Sequence, residues 1–139
     1  MTEARYLVDT SVLARAAQER VGTRLEELVM TGKLWSCRVV DLEVVYASRA
    51  GVISDVIAER SALPEAPITP EVLDRALHVA GMLAAANAHR GAKPADLVIA
   101  AAAEAASLVV LHYDDGYDRI SDLTGQPAEW IAAPGSLDG

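Results

Sequence analysis

Two short apolar runs, each leading into an acid, constrain this chain more than any other feature. Tyr6-Leu7-Val8 ends on Asp9, and Leu108-Val109-Val110-Leu111 is followed three residues later by Asp114. A run with no alternating polar residue reads as a strand buried on both faces. Such strands belong to parallel sheets covered by helices on both sides. Residues 10–107 supply mainly helical patterns, so the spacing predicts an α/β fold with a central, mainly parallel sheet between two helical layers.

The helices can be placed from their start and stop signals. Thr10-Ser11 reads as an N-cap for a helix carrying Val12, Leu13 and Ala16, broken at Gly22-Thr23. Thr23 then caps a helix over 24–30, stopped by Gly32. A strand follows at Leu34-Trp35-Ser36-Cys37, then helices over 39–50 and 54–62, the second ending before Pro64. Pro64-Glu65-Ala66-Pro67 is a turn, and Ile68 a short strand. Thr69-Pro70-Glu71 combines a capping Thr, Pro at the first helical position and an early acid. That helix is predicted to run to Arg90 and end at Gly91, with Gly81 weakening its middle. An Ala-rich helix spans 94–106, a short one 117–123, and Glu129-Trp130-Ile131 reads as an edge strand. Residues 133–139 read as a frayed tail. With 139 residues and no internal repeat, the expectation is one domain over 1–139.

Composition narrows the function. The hydrophobic fraction is 52% with no Phe, so the core must come from aliphatic residues and closely packed Ala. A net charge of −8 argues against a protein that holds nucleic acid on a basic face. It leaves room for a site in which clustered acids bind cations. Arg15, Arg20, Arg24, Arg38 and Arg49 lie early in the chain, and solvated helix faces are their default reading. The single cysteine, Cys37, excludes an internal disulfide and a cysteine-based zinc site, and its neighbours mark it as a core residue. No signal-peptide pattern or membrane-length apolar stretch is present, and the expected location is the cytoplasm.

The acids carry the chemistry. In a parallel sheet, ligands bind beyond the C-terminal ends of the strands. Asp9 and Asp114 fall there, and Asp96 opens a helix whose N-terminus faces the same edge. Each has a plainer reading: Asp96 as a helix-dipole acid, Asp114-Asp115-Gly116 as a turn. Asp9 is harder to explain away, because a carboxylate after three buried apolar residues is costly without a partner. On the next helix, Glu43 and Asp41 point about 200° apart. At most one of them faces the sheet edge, and periodicity does not choose between them; Asp41 also reads as a first-turn acid on the solvent face. Oxygen-only ligands suit Mg²⁺ or Mn²⁺, and such ions serve phosphodiester hydrolysis. His112 reads as a strand end, His78 and His89 as structural or exposed. There is no glycine-rich phosphate loop and no G-x-S-x-G elbow.

Four segments in order resemble the motifs of PIN domains, especially the VapC toxins of bacterial toxin–antitoxin pairs. They are residues 7–13 around Asp9, 42–46 with Arg49 around Glu43, 94–100 around Asp96, and 110–120 around Asp114. The resemblance implies a three-layer α/β/α fold and a Mg²⁺- or Mn²⁺-dependent endoribonuclease that cuts structured RNA such as tRNA or rRNA, halting translation and growth. It implies Asp9, Glu43, Asp96 and Asp114 as catalytic and metal-binding acids, choosing Glu43 over Asp41. Thr10 or Ser11 would support Asp9, and Asp115 and Asp118 are additional acids. Tyr117 stands where many members carry Phe, which implies a core role with little effect on chemistry. The resemblance also implies a homodimer and a VapB-type antitoxin that carries the DNA-binding domain, so that DNA is met only through it. Two alternatives compete: a phosphatase acting on small phosphate esters, and a non-catalytic module that binds antitoxin in promoter autoregulation. A phosphatase more often shows a second Asp two residues after the first, where this chain has Ser11.

Overall fold

A computed structural model describes residues 3–138. Its sheet has four parallel strands in the order β2-β1-β3-β4. These are β1 (Tyr6–Val8), β2 (Leu34–Trp35), β3 (Val109–His112) and β4 (Ala128–Trp130). The helices are α1 (Thr10–Leu13), α2 (Glu19–Met30), α3 (Arg38–Ala47), α4 (Ile53–Ser61), α5 (Pro70–Ala85), α6 (Pro94–Ala105) and α7 (Gly116–Thr124). The chain leaves β1 for β2 on one side, then crosses back over β1 to β3 on the other. Between β1 and β3 lies the point where the strand order reverses, the place where parallel α/β sheets open a crevice.

Strand alternation separates the two faces of the sheet. Leu7 and Val110 pack with Val40, Val72, Val79, Leu83, Ile99 and the α6 alanines. Tyr6, Val8 and Leu111 pack with Val12, Val21, Leu25 and Leu28. Two cores on opposite faces give the expected three layers. Alanines at 100–103 are all buried, and their small side chains let α6 lie close to its neighbours. Cys37 is a core residue; burial pushes its thiol up to about 11, which leaves it an unreactive small hydrophobe. Among the described residues, no helix is long and apolar enough to cross a membrane.

Several boundaries differ from the sequence expectation. Gly22 and Thr23 sit inside α2, not at a break, and the chain turns earlier, before Glu19. A Cβ at Gly22 would stand 2.8 Å from the Ala16 carbonyl oxygen, so this glycine serves close packing against that turn. The N-cap of α1 is Asp9 itself, which accepts from the Ser11 amide. α5 starts as predicted, with Thr69 accepting from Val72 N, but ends at Ala85, because Asn87 takes the left-handed conformation (φ 57°) that closes a helix. Gly81 does not interrupt it. Ile68 is not a strand; the bridge to the β2 segment falls on Glu65, paired with Ser36. The end of the chain is not frayed over 136–138. Leu137 is buried, its N–H donates to the Tyr113 hydroxyl, and Arg20 donates to Ser136. Polar and glycine-rich composition hid one apolar residue that inserts beneath α2.

Candidate active site

Asp9 lies one residue past β1, and its N–H donates to Leu111 O (2.9 Å), which fixes it to β3. It is 4% exposed. Its Oδ2 accepts from the Ser11 amide (3.0 Å) and the Ser11 hydroxyl (2.5 Å). Its Oδ1 accepts from the Tyr117 hydroxyl at 2.6 Å. Ser11 Oγ in turn accepts from Tyr113 N (2.9 Å), tying α1 to the segment after β3. Each of these donors to Asp9 is neutral. They solvate the buried charge without cancelling it, so the site still favours a cation.

Asp96 sits in the first turn of α6, buried, and its Oδ2 accepts from Lys93 N (3.3 Å). Burial, then the charges of Asp9 and Asp114, push its carboxyl up to about 6, against the helix-terminal amide that favours ionisation. Asp114 is partly exposed; its Oδ1 accepts from Gly116 N (2.9 Å) and its own amide donates to His112 Nδ1 (3.2 Å). A Cβ at Gly116 would stand 3.3 Å from Asp114 Oδ1, 3.5 Å from Asp96 Oδ2 and 3.1 Å from Gly91 O. The missing side chain keeps the space between the two carboxylates open.

Asp9, Asp96 and Asp114 therefore meet at the β1/β3 crevice. Glu43 joins at one remove: its Oε1 accepts from the Thr10 hydroxyl (2.7 Å) at the start of α1. The same helix turns Asp41 the other way. Asp41 is not a solvent-face acid. It is 6% exposed and accepts from Ser36 Oγ (2.8 Å), Arg60 Nε (3.0 Å) and Arg38 Nη1 (3.3 Å). Burial raises its carboxyl, but the hydrogen bonds and the guanidinium charge outweigh that and hold it low. Asp115 is exposed and pairs with Arg119 (3.4 Å). Asp118 accepts from Trp130 Nε1 at 3.1 and 3.2 Å. Neither hydrogen bond reaches the three central acids. Of the early arginines, Arg15, Arg20, Arg24 and Arg38 make internal ion pairs or hydrogen bonds.

The residue whose place the sequence did not reveal is Tyr117. Its ring is buried at 1% exposure, as a core residue should be. Its hydroxyl lies 2.6 Å from Asp9 Oδ1 and 3.4 Å from Asp96 Oδ1. Burial, then the charges of Asp9 and Asp96, push the phenol well above its ordinary value, so it keeps its proton and donates. The signal available was a polar atom on an otherwise apolar helix face, beside Ile120 and Gly116. His112 is fully buried, and burial pulls its imidazole below the ordinary value. Nδ1 accepts the Asp114 amide proton, while among the described residues Nε2 meets no hydrogen-bond partner, its ring lying 5.0 Å from those of Tyr117 and Trp130.

Among the described residues, no group of three or more His, Cys, Asp or Glu side chains stands ready-arranged to hold a metal ion. The donors themselves are of the kind a hard divalent cation takes: a buried Asp9 with no charged partner among its donors, and an Asp96 carboxyl pushed up by burial and then by its acidic neighbours, beside a Cβ-free cradle at Gly116.

The fold defines the class: a parallel α/β sheet with buried carboxylates gathered where its strand order reverses. Comparison with known proteins gives the family. A PIN-domain family model matches residues 6–123. Ribonuclease VapC18 of Mycobacterium tuberculosis is 40% identical over 135 residues, 95% of this chain and 98% of the relative. Ribonuclease VapC51 of the same species is 39% identical, over 96% and 98% of the two chains. The DNA-bound VapBC structure from Salmonella typhimurium superposes with a TM-score of 0.76 at 18% identity, over 94% of this chain and 100% of that one. This chain belongs to the PIN-domain family and groups with its VapC ribonucleases.

Proposed function

We propose that this chain is a divalent-cation-dependent endoribonuclease, the toxin of a toxin–antitoxin pair. The observation that supports it is the meeting of Asp9, Asp96 and Asp114 at the strand-order switch, with neutral donors only on Asp9. Asp9, Asp96 and Asp114 hold the cation, Mg²⁺ or Mn²⁺, and Glu43 completes its surroundings from α3. When bound, such an ion supplies Lewis acidity toward water and toward the scissile phosphodiester. Ser11 and Thr10 orient Asp9 and Glu43. Asp115 and Asp118 act as outer acids at the rim. The substrate is a structured RNA, tRNA or rRNA, whose cleavage stops translation and growth.

The partner is a VapB-type antitoxin. Supporting this, the similar solved structures include the DNA-bound VapBC of Salmonella typhimurium and VapBC-5 of Mycobacterium tuberculosis, a member of the VapBC family of toxin–antitoxin systems. A basic side chain from such a partner would enter the acidic crevice and offset the repulsion there as a cation does. The toxin is a homodimer in the cytoplasm, and DNA is met through the antitoxin.

Purified protein incubated with total RNA should cleave it in Mg²⁺ or Mn²⁺ and stop in excess EDTA. Asp9→Asn should slow cleavage at least about a hundredfold, since losing several kcal/mol of metal-assisted stabilisation costs tenfold per 1.4 kcal/mol. Undiminished cleavage in EDTA and in the variant would sink this reading.

A further inference from the structure

We propose that Tyr117 is a positioning residue for Asp9: its hydroxyl holds the carboxylate in the orientation that takes the cation and so sets the affinity of the site. The inference rests on the reading of Asp9 and Asp96 as cation-holding acids.

The geometry carries it. Asp9 Oδ2 is occupied twice over by Ser11, through its amide and its hydroxyl. Those two donors both come from Ser11 at the α1 N-terminus, so by themselves they hold the carboxylate only relative to its own segment. The Tyr117 hydroxyl reaches Oδ1 from α7, on the other side of the crevice and 108 residues along the chain. With donors on both oxygens, the plane of the carboxylate is fixed by two elements that do not share a backbone segment. A carboxylate oxygen has a second lone pair, so Oδ1 can accept from Tyr117 and still face a cation. The ring cannot move to follow another partner. It is 1% exposed, and His112 lies against it with centroids 5.0 Å apart.

The hydroxyl also lies 3.4 Å from Asp96 Oδ1, between the two carboxylates that repel each other. A single proton there serves the closer oxygen, that of Asp9. Removing it leaves Asp9 held from α1 alone and takes the one hydroxyl dipole out from between it and Asp96. Hydrogen bonds that orient metal-ligating groups typically contribute 10–100-fold in metal affinity or activity, and rigid ligands lose less freedom on binding.

The test is calorimetric titration of the full-length protein with Mn²⁺, comparing wild type, Tyr117→Phe and Asp9→Asn, with thermal unfolding of each in EDTA. Wild type binds, and Asp9→Asn loses binding. Tyr117→Phe binds roughly tenfold more weakly or worse, and raising Mn²⁺ restores most of its RNA cleavage. A Tyr117→Phe affinity within twofold of wild type overturns the inference, even if its melting temperature falls, because that is the mark of a structural role alone. If the Phe variant does not fold, Tyr117→Met, which also lacks the donor, carries the same expectation. Absence of Mn²⁺ binding in wild type would instead overturn the cation reading of the whole site, and this inference with it.

Discussion

Asp96→Asn abolishes RNA cleavage and, in EDTA, gives a protein that melts higher than wild type at neutral pH. The two effects have one cause. Asp96 lies buried beside Asp9 and Asp114, and its carboxyl is pushed from 3.8 to about 6 by burial and by those charges. A raised carboxyl binds its proton more tightly in the folded chain than in the unfolded one. Stability therefore falls as pH rises between about 4 and 6, and the loss persists above that window. In the metal-free protein the ionised Asp96 costs on the order of 2 kcal/mol, after allowance for the solvent that reaches it. Asn keeps the oxygen that accepts from Lys93 N and carries no charge. The expected gain in melting temperature at pH 7.5 is roughly 5 °C, vanishing near pH 4. Activity is expected to go the other way, because in the proposed mechanism the same charge holds the cation. Melting curves in EDTA against pH, beside an RNA cleavage assay in Mg²⁺, check both halves. An Asp96→Asn variant that melts lower than wild type at pH 7.5 and matches it at pH 4 would refute the electrostatic account.

The second large effect lies away from the crevice. Arg60→Met takes from Asp41 its buried guanidinium and leaves it with Ser36, the more exposed Arg38 and the neighbouring carboxyl of Glu65. Arg60 and Asp41 have side chains 11% and 8% exposed, in contact at 3.0 Å, and Arg60 also donates to Ser36 Oγ at 2.7 Å. Breaking a buried pair from one side typically costs about 3–5 kcal/mol, which for a chain of this size is a fall of roughly 10–15 °C. Cleavage per folded molecule should stay close to wild type, since the network faces away from Asp9. Asp41→Leu combined with Arg60→Met should recover much of the loss, because well-packed apolar replacements of a buried pair are often neutral or better. Thermal melts of the two single variants and the double variant form the cycle. Full additivity of the single losses would count against a shared network.

The buried ion pair also shows where sequence reading ran short. Asp41 and Glu43 sit two residues apart in the same apolar helix, and both directions are lined with Val. One-dimensional periodicity cannot tell a face that meets Arg60 from a face that meets Thr10. The partners that decide it lie 19 and 33 residues away along the chain. Tyr117 is a similar case. Its ring satisfies the apolar pattern of α7, so the pattern is silent about a hydroxyl whose acceptor, Asp9, follows β1 far away in the chain. The helix ends erred for a different reason. Gly22, Gly91 and the tail were read as punctuation by residue type, whereas Gly22 is spent on a close approach and Asn87 supplies the left-handed turn that ends α5.

What the sequence determined by itself was local and energetic. Tyr6-Leu7-Val8 and the run through Leu111 had to be buried strands, the helices between them imposed parallel crossovers, and Asp9 at the mouth of a core strand required compensation. The α/β class and the edge of the sheet at which the acids gather follow from those facts. The tertiary structure decided which acids meet. The crossover over β1 brings Asp9, Asp96 and Asp114 to one crevice, turns Glu43 toward Thr10, sends Asp41 to Arg60 and lays the Tyr117 hydroxyl on Asp9. Hydrophobic pattern specifies which faces must be buried, but which polar atoms then share a burial is set by the path of the chain through space.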